Sequence, residues 1–323
     1  MPLRGIKSMT IKNGSSTPTI IYIMGYGRSG STILDMLLQQ HYNIVSAGAL
    51  NNIYDWQLNS EKCSCGNRLS DCSFWFDVLT GKNIMSNSTS PLEARTLQFK
   101  FERLSVLWRL ITGSHSEHDK SIYREGMREL YGNIADVASV KFIVDSSKST
   151  RDCTGRALAL GKVAHMPVKS IWLTRDGRGV GWSAIRRTGS DERKRVSEKP
   201  SVNFIRTVLS WSLTNLLTRI TTLFMKKGTY MHVKYEELCK DPDETLSLIG
   251  EFLDLDMKEV INSASGLSNI SAGHNLGGNR LRFETKVRLK PDLSWHKKLP
   301  KQFRILFLFF GSPIGIFMGY KLW

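Results

Sequence analysis

Near its start the chain joins a short apolar segment to an apolar helix through a glycine-rich turn. Residues 19–24 (TIIYIM) have the β-rich apolar character of a buried strand, and residues 32–38 (TILDMLL) begin a buried helix. The turn, residues 25–32 (GYGRSGST), has the spacing of the phosphate-binding pattern GxxxxGK[ST]. Its glycines let the backbone wrap an anion, and N–H groups at the helix N-terminus point at that anion. The unit predicts an α/β fold with an anion site after its first strand.

One position of the turn departs from the pattern. Ser31 stands where the pattern has the lysine that reaches the β- and γ-phosphates, and the cation is instead Arg28, inside the turn. No apolar strand clearly ends in a metal-binding Asp, since Val144-Asp145 is the nearest match. These features argue against hydrolysis of a magnesium-bound nucleoside triphosphate. They favour a ligand with a 5′-phosphate and a second anionic group, and an ordinary strand–helix turn is the simpler alternative.

Strands and helices alternate along the rest of the chain. Further strand-like segments are residues 141–144, 169–173 and 230–233. Helical patterns cover residues 92–138, 157–160, 203–226 and 243–253. This alternation predicts a single α/β domain over residues 19–323, with a mainly parallel central sheet and helices on both faces. Residues 1–18 are polar and are predicted to be flexible.

The chain carries a formal net charge of +16, and two stretches hold all of it. Residues 141–210 have 15 basic and 6 acidic side chains, residues 276–304 have 9 and 2, and the remainder is neutral. Local basic regions indicate a polyanionic ligand or an anionic surface, and a solvated basic face is the alternative. Nucleic acid is not predicted as a partner, because the sequence has neither RNP-like aromatic motifs nor zinc-finger spacing.

Two motifs together resemble a known family. Residues 26–32 (YGRSGST) resemble the 5′-phosphosulfate loop of sulfotransferases that use 3′-phosphoadenosine 5′-phosphosulfate (PAPS), in the carbohydrate-type and bacterial branch. Residues 171–183 resemble the family's 3′-phosphate site, where an Arg ends a strand and a Ser eight residues later opens a helix; Arg175 and Ser183 have this spacing. A guanidinium beside a hydroxyl and helix-start N–H groups can bind a phosphate. The resemblance covers about residues 19–320 and implies PAPS as co-substrate.

The same resemblance implies which residues bind the nucleotide and which catalyse the reaction. The implied nucleotide ligands are Arg28, Ser29, Gly30, Ser31, Thr32, Arg175, Ser183, Tyr235, Asn279, Arg280 and Arg282. Residues 145–149 (DSSKS) match the segment that delivers a lysine, here Lys148, to the sulfuryl group. Sulfuryl transfer depends mainly on positioning and electrostatics, so Arg28 and Lys148 are predicted to be the catalytic cations, and no metal is required. A solvated surface lysine is the alternative for Lys148.

The predicted acceptor is a hydroxyl compound, either a glycan or a glycolipid, bound by insertions at about residues 49–138 and 184–206. Many relatives carry Gly-Glu-Leu about twenty residues after the loop Arg, and that Glu is the natural base for the acceptor hydroxyl. Here Ala49 occupies the position. The base is then expected from Asp55, Asp145 or His274.

Two alternatives to an active sulfotransferase stay open. Because Ala49 cannot accept a proton, the chain could be a catalytically impaired relative that still binds the nucleotide, whether natural or engineered. A P-loop kinase or NTPase is the other alternative, and both Ser31 and the paired Arg175 and Ser183 argue against it.

A tight cysteine cluster consists of Cys63, Cys65 and Cys72. Structural thiols, a disulfide and a zinc site are all open interpretations, because three thiols can bind zinc but no fourth ligand is in register. A fourth ligand would have to come from elsewhere, with His41, Cys153 and Cys239 as the candidates. The odd total of five cysteines argues against a disulfide scaffold and for a reducing compartment.

Residues 305–320 (ILFLFFGSPIGIFMGY) are strongly apolar, with Lys301, Arg304 and Lys321 around them. The run is short and broken by Gly-Ser-Pro, so it predicts a terminal helix packed on the sheet; a basic-flanked segment lying on a membrane is the alternative. The N-terminus has no apolar core typical of a signal peptide. The expected location is cytoplasmic, with peripheral contact to the inner membrane face under the second interpretation.

Overall fold

The computed structural model describes residues 17–59, 61–80, 90–188, 199–265, 270–278, 280–284, 289 and 291–321. Within them, five strands form one sheet in which every neighbouring pair is parallel. The strands are β1 (Thr19–Met24), β2 (Ile44–Gly48), β3 (Phe142–Asp145), β4 (Val168–Thr174) and β5 (Tyr230–Lys234), in the spatial order β2-β3-β1-β4-β5. The predicted α/β sheet is confirmed. The N-terminal segment predicted to be flexible lies outside the described residues except for Thr17 and Pro18.

The central strand is buried on both faces. Ile20, Tyr22 and Met24 belong to one hydrophobic core, and Ile21 and Ile23 belong to the other. All five side chains are at most 1% exposed. Because alternate residues of a strand point to opposite faces, a strand with this pattern needs a layer of helices on each side of the sheet.

Helices provide both layers. The first eight are α1 (Ser31–Leu38), α2 (Ile53–Asn59), α3 (Ser73–Thr80), α4 (Pro91–Glu102), α5 (Leu107–Thr112), α6 (Glu117–Ala138), α7 (Arg156–Lys162) and α8 (Gly177–Thr188). The others are α9 (Pro200–Leu223), α10 (Tyr235–Lys240), α11 (Pro242–Leu253), α12 (Lys258–Ser265), α13 (Ser294–Lys298), α14 (Lys301–Phe310) and α15 (Ser312–Phe317). Helices α1, α11 and α12 pack on the face of Ile21 and Ile23. The helices predicted over residues 203–226 and 243–253 are confirmed as α9 and α11.

Strand β2 is not predicted by the apolar pattern of the sequence. Its two β-branched residues are followed by small ones, yet all five residues are buried. The Ser46 hydroxyl is satisfied in the core because it donates to Asp35 in α1. A Cβ at Gly48 would come within 2.0 Å of the Leu276 carbonyl oxygen, so only glycine lets the two backbones lie this close. Strand β2 therefore contacts α1 through Ser46 and Leu276 through Gly48, and Ala49 follows directly after it.

The C-terminal apolar run forms α14 and α15, which meet at Gly311. The Phe303 ring lies 4.9 Å from that of Phe204, and the Phe307 ring lies 5.9 Å from that of Trp211, so the inner face packs mainly on α9 rather than on the sheet. The outer face exposes Ile305, Phe309, Phe310, Ile316 and Phe317. Over the part of the chain that the structure describes, no helix combines the length and the apolar character needed to cross a membrane.

Candidate active site

The predicted site residues gather at one edge of the sheet, because all five strands run in the same direction. The residues that follow the strands are Gly25–Gly30 after β1, Ala49 after β2, Ser146–Lys148 after β3, Arg175 after β4 and Tyr235 after β5. In open α/β sheets, ligands bind beyond this carboxyl edge, near the point where the connections leave to opposite sides. The topology alone thus makes this edge the candidate site.

The phosphate loop has an unusual backbone. Gly25, Arg28 and Gly30 all have left-handed conformations, with φ of 112°, 66° and 91°. A side chain at Gly25 would place its Cβ 2.3 Å from the Leu173 carbonyl oxygen, and one at Gly30 would meet the Tyr235 ring at 2.5 Å. The two glycines are therefore required both by φ and by the close packing of β4 and α10 against the loop.

The loop also holds a buried donor that has no partner. The Ser29 hydroxyl is 1% exposed and makes no hydrogen bond within the described residues. Helix α1 begins two residues later, at Ser31, so its first N–H groups face the same loop. Thr32 lies against residues 273–283, the late segment of the chain, since a Cβ at Gly278 would be 3.0 Å from the Thr32 hydroxyl oxygen. An orphan hydroxyl beside a helix N-terminus fits an anionic ligand that accepts hydrogen bonds.

The two predicted phosphate motifs touch each other. Arg28 Nη1 donates to the Ser183 carbonyl oxygen at 3.1 Å and lies 3.5 Å from the Ser183 hydroxyl oxygen. Arg175 Nη1 donates to the Arg28 carbonyl oxygen at 3.2 Å. Two guanidiniums and a hydroxyl therefore converge from motifs that lie 147 residues apart in the sequence. This arrangement suits a ligand with two anionic groups.

Ser183 does not open a helix, and in this detail the prediction is wrong. Helix α8 begins at Gly177, so Ser183 lies in its second turn, where backbone N–H groups bond within the helix. In the sequence, the glycines before Ser183 indicate a loop, but in the structure they are helical positions against which aromatic rings pack. A Cβ at Gly177 would lie 2.6 Å from the Phe307 ring, and one at Gly181 would lie 2.4 Å from the Phe204 ring. Ser183 therefore offers its hydroxyl to the site rather than a free N–H group.

Asp292 is a site residue that the sequence analysis did not single out. Its carboxylate lies 3.5 Å from Arg175 Nη2 and 2.7 Å from Arg186 Nη2, and its N–H donates to the Tyr235 hydroxyl at 3.2 Å. The Tyr235 ring lies 4.6 Å from Arg175 Cζ. Burial acts to raise the pKa of Asp292, but hydrogen bonds from Ser294 and the two guanidiniums lower it below its usual range. Asp292 is one of two acids among the nine basic residues of 276–304, which was the available signal.

Lys148 is fixed beside the phosphate loop. It lies in a left-handed turn (φ 71°) after β3, its N–H donates to the Ile23 carbonyl oxygen at 3.1 Å, and its carbonyl oxygen accepts from the Tyr22 hydroxyl. Its Nζ donates to the Ser146 carbonyl oxygen at 3.2 Å. Burial lowers the pKa of Lys148, against the charge of Asp35, which raises it. Pairing between β1 and β3 thus places a cation next to the loop.

Asp145 is held in a buried polar network. It accepts from the Tyr131 hydroxyl at 2.6 Å, from Arg156 Nε at 2.9 Å, and from both the N–H (2.9 Å) and the hydroxyl of Ser147. Arg156 has no exposed side-chain surface and also pairs with Glu102. With so many donors around it, the Asp145 carboxylate is suited to holding the turn before Lys148.

Ala49 lies next to that turn. Its N–H donates to the Leu276 carbonyl oxygen at 2.9 Å, and the preceding Gly48 carbonyl oxygen accepts from the Ser146 N–H at 2.7 Å. Two residues later, the Asn51 N–H donates to the Ser147 hydroxyl oxygen at 2.9 Å. Ala49 is thus buried between the late segment and the residues that carry Lys148.

The other two candidate bases have partners of their own. Asp55 Oδ2 lies 2.6 Å from Nη2 of the buried Arg95. His274 Nδ1 lies 3.2 Å from Cys72 Sγ, its ring stacks on that of Phe74 at 4.9 Å, and burial lowers its pKa. The structure thus gives Asp55 and His274, like Asp145, specific structural contacts.

The late segment contributes less to the loop than its arginines suggest. Arg280 is exposed at the start of the short 3₁₀ turn Arg280–Phe283. Arg282 is buried, and its Nη2 donates to Glu61 Oε1 at 3.0 Å and to the Lys62 carbonyl oxygen at 3.2 Å. Arg282 therefore ties the segment to another loop. Asn279 lies outside the described residues.

Asp35 is a second residue that the sequence analysis missed. It is 1% exposed in α1 and accepts from the Ser46 hydroxyl and, at 2.9 Å, from Asn275 Nδ2. Burial raises the pKa of Asp35 to about 6, while hydrogen bonds from Ser146, Ser46 and Asn275 and the Lys148 charge act to lower it. The signal in the sequence was a single acid among the apolar residues of 33–38. Asp35 joins α1, β2 and the late segment under the site.

Comparisons with known proteins agree with the observed fold. A model of the sulfotransferase family matches residues 18–259. Among solved structures, the chain is similar to the sulfotransferase domain of an olefin synthase from Synechococcus PCC 7002, with 18% identity, a TM-score of 0.53, and coverage of 96% of this chain and 98% of that one. It is also similar to the sulfotransferase domain from the curacin biosynthetic pathway, with 16% identity, a TM-score of 0.50, and coverage of 95% and 99%. At these identities the likeness establishes the fold. No curated protein sequence matches the chain.

Proposed function

This chain belongs to the sulfotransferase family, and we propose that it moves a sulfuryl group from PAPS to a hydroxyl acceptor. The observation that carries the proposal is the convergence of Arg28 and Ser183, with Arg175 donating to the Arg28 carbonyl oxygen. PAPS has a phosphosulfate and a phosphate on one ribose, so it needs two adjacent anion sites. The orphan Ser29 hydroxyl supplies a further donor toward the first of them.

In the proposed reaction, the acceptor oxygen forms a bond to sulfur while the bond between sulfur and the 5′-phosphate oxygen breaks. Negative charge grows on the departing phosphate, so fixed cations there lower the barrier. Arg28 and Lys148 have this role in the proposal, and 3′-phosphoadenosine 5′-phosphate (PAP) is the product. The acceptor proton passes to a base or to water. The proposed transfer uses no metal.

Arg175 gives the first test, because it should bind the 3′-phosphate. PAP should bind more tightly than AMP or ADP, and Arg175→Ala should weaken PAP binding by about 1.5–3 kcal/mol, the contribution of a hydrogen bond to a charged group. That corresponds to about a 10- to 150-fold rise in Kd. Isothermal titration calorimetry measures both quantities. Binding should draw the Arg175 guanidinium away from the Asp292 carboxylate, which lies 3.5 Å from its Nη2.

A matched control separates this effect from a general loss of positive charge. Arg103 pairs with Asp152 at 3.1 Å on the exposed surface, so Arg103→Ala should leave the Kd for PAP unchanged. Equal affinity of the wild type for AMP and PAP would contradict a 3′-phosphate site at Arg175 and Ser183. An Arg175→Ala variant that loses AMP and PAP affinity equally would also contradict it.

We assign the acceptor to hydroxyl-bearing glycans or glycolipids, which the basic regions would accept when anionic. The exposed apolar face of α14 and α15, with Lys301, Arg304 and Lys321 around it, supports peripheral contact with an anionic membrane. Incubation with sulfur-35-labelled PAPS and a panel of glycans, phenols and lipids in anionic or neutral vesicles tests these proposals. Transfer to phenols alone would contradict the acceptor class, and equal sedimentation with both kinds of vesicle would contradict the membrane contact.

A second candidate function is a nucleotide-binding relative with impaired catalysis, and Ala49 is the observation that favours it. Ala49 lies beside the Lys148 turn but cannot take the acceptor proton, and a positioned base typically contributes about 10²–10⁴-fold. Ala49→Glu should therefore raise the rate of sulfuryl transfer by about tenfold or more, with nearly unchanged affinity for PAP. The assay is the labelled transfer, measured at saturating PAPS.

Ala49→Gln is the matched control, because it adds the same bulk without a group that can take the proton. It should stay at the wild-type rate or below it. If Ala49→Glu and Ala49→Gln behave alike, or if an already active wild type gains nothing from Glu, then the base lies elsewhere and the impaired candidate loses its support.

A further inference from the structure

Four potential metal ligands meet in a cluster that sulfuryl transfer does not use. The ligand atoms of Cys63, Cys65, Cys72 and His274 all lie within 4.8 Å of one another. Cys65 Sγ lies 3.7 Å from Cys72 Sγ, and His274 Nδ1 lies 3.7 Å from Cys63 Sγ and 3.2 Å from Cys72 Sγ. Tetrahedral zinc, with bonds of about 2.3 Å to sulfur and 2.0–2.1 Å to nitrogen, sets its ligand atoms about 3.5–3.8 Å apart. We propose that these four residues bind a structural zinc ion.

The loop that carries two of the sulfurs has a folded turn of its own. The Cys63 N–H donates to the Asn67 carbonyl oxygen at 2.9 Å, and the Cys63 carbonyl oxygen accepts from the Gly66 N–H at 3.0 Å. Gly66 takes the left-handed conformation, with φ of 95°. Cys63 is buried and Cys65 is exposed, yet this tight turn directs both sulfurs to the same point. A turn that aims two thiols is what a zinc loop with short Cys spacing requires.

His274 is oriented toward the sulfurs by contacts on its other sides. The Trp75 Nε1–H donates to the His274 carbonyl oxygen at 2.7 Å, and the Phe74 ring stacks on the imidazole at 4.9 Å with an interplanar angle of 6°. The Ser64 hydroxyl donates to the Gly273 carbonyl oxygen at 2.7 Å, which fixes the cysteine loop against the histidine. Outer contacts of this kind hold metal ligands in position. These contacts are made by Ser64, Phe74 and Trp75, none of which is a proposed ligand, so they do not depend on a bound ion.

The ligand set favours zinc over other metals and a structural role over a catalytic one. Three cysteines and a histidine form one of the usual closed four-ligand zinc sites, and they leave no position open for substrate. On binding, the three thiols release their protons, so the filled site has a net charge of −1. The proposal is therefore compatible with sulfuryl transfer that requires no metal.

The position of the cluster indicates what the ion would stabilise. The residues after His274 reach the candidate active site: Asn275 Nδ2 donates to Asp35 at 2.9 Å, and the Leu276 carbonyl oxygen accepts from the Ala49 N–H at 2.9 Å. Zinc would thus join the 61–72 loop to the segment that covers Ala49 and the phosphate loop. This inference does not depend on the proposed function, because an inactive relative would need the same connection.

The test measures zinc rather than activity. The full chain, purified under reducing conditions and dialysed against zinc-free buffer, should contain one zinc ion per molecule by inductively coupled plasma mass spectrometry. Cys65→Ser removes an exposed ligand and should lower zinc affinity by about tenfold or more. Cys239→Ser is the matched control, since Cys239 is buried far from the cluster in sequence and belongs to α10; it should keep the full zinc content.

A spectroscopic measurement keeps the proposal testable even if the variants fold poorly. Wild-type protein loaded with cobalt(II) should show thiolate-to-metal charge transfer and the strong visible bands of a tetrahedral site, and one equivalent of zinc should abolish both. Three results would overturn the proposal: no uptake of zinc by the fully reduced chain, zinc retained equally by Cys65→Ser and the wild type, or a Cys65–Cys72 disulfide in protein purified without oxidant.

Discussion

Replacing Lys148 with alanine should lower the turnover of sulfuryl transfer by about 100-fold or more while PAP affinity changes only slightly. The reason is where the charge is needed. The turn that carries Lys148 is held beside the loop by backbone hydrogen bonds with Tyr22 and Ile23, so we expect its ammonium to act on charge that develops during transfer. An interaction that grows only in the transition state affects kcat more than binding. Steady-state kinetics with labelled PAPS and calorimetry with PAP separate the two effects.

Lys141 provides the matched control, because it is an exposed lysine just before the other end of β3. Lys141→Ala should keep full turnover. The pH dependence gives an independent check: burial lowers the pKa of Lys148, so turnover should decline with rising pH sooner than for an exposed lysine. Lys148→Arg, whose guanidinium stays charged, should retain its activity to higher pH. Full turnover in Lys148→Ala would mean that the match of residues 145–149 to the family segment is wrong.

The parts of the fold that the sequence predicts are those with local patterns. Strand β1 and the loop after it are recognisable within fourteen residues, because a continuous apolar run and the glycine spacing are both local features. Strand β2 escapes prediction because its last three residues are small, and their burial depends on Asp35 in the preceding helix and on Leu276, which is distant in the sequence. Its role at the edge of the sheet becomes visible only when the sheet is assembled.

The same limit applies to the site. The spacing between Arg175 and Ser183 predicts that they act together. However, the start of α8 at Gly177 depends on the rings of Phe307 and Phe204, which pack against Gly177 and Gly181 in the space that a side chain there would occupy. The fourth member of the cysteine cluster is likewise invisible in the sequence, because His274 lies 202 residues after Cys72. Residues brought together by long connections cannot be paired from spacing alone.

The largest expected loss of stability comes from Arg156. This side chain has no exposed surface and pairs with both Asp145 and Glu102, so Arg156→Met would leave two buried carboxylates without their cation. Breaking a buried pair in this way typically costs about 3–5 kcal/mol, because the remaining carboxylates have neither water nor a cation to offset their charge. We expect a loss of this size in the free energy of unfolding, measured by denaturant titration with tryptophan fluorescence. Arg103→Ala, which breaks the exposed pair with Asp152, should cost at most about 1 kcal/mol.

The pH dependence of the Arg156→Met variant distinguishes a buried charge from simple loss of packing. Burial already raises the pKa of Glu102, and the Arg156 charge acts to lower it. Without Arg156 that pKa should rise further, so near neutral pH the folded variant holds a proton that the unfolded chain has already released. Its stability then falls as pH rises, and the deficit relative to the wild type should be smaller at about pH 5 than at about pH 8. A deficit that is the same at both pH values would show that Arg156 contributes through its packing and not through its charge.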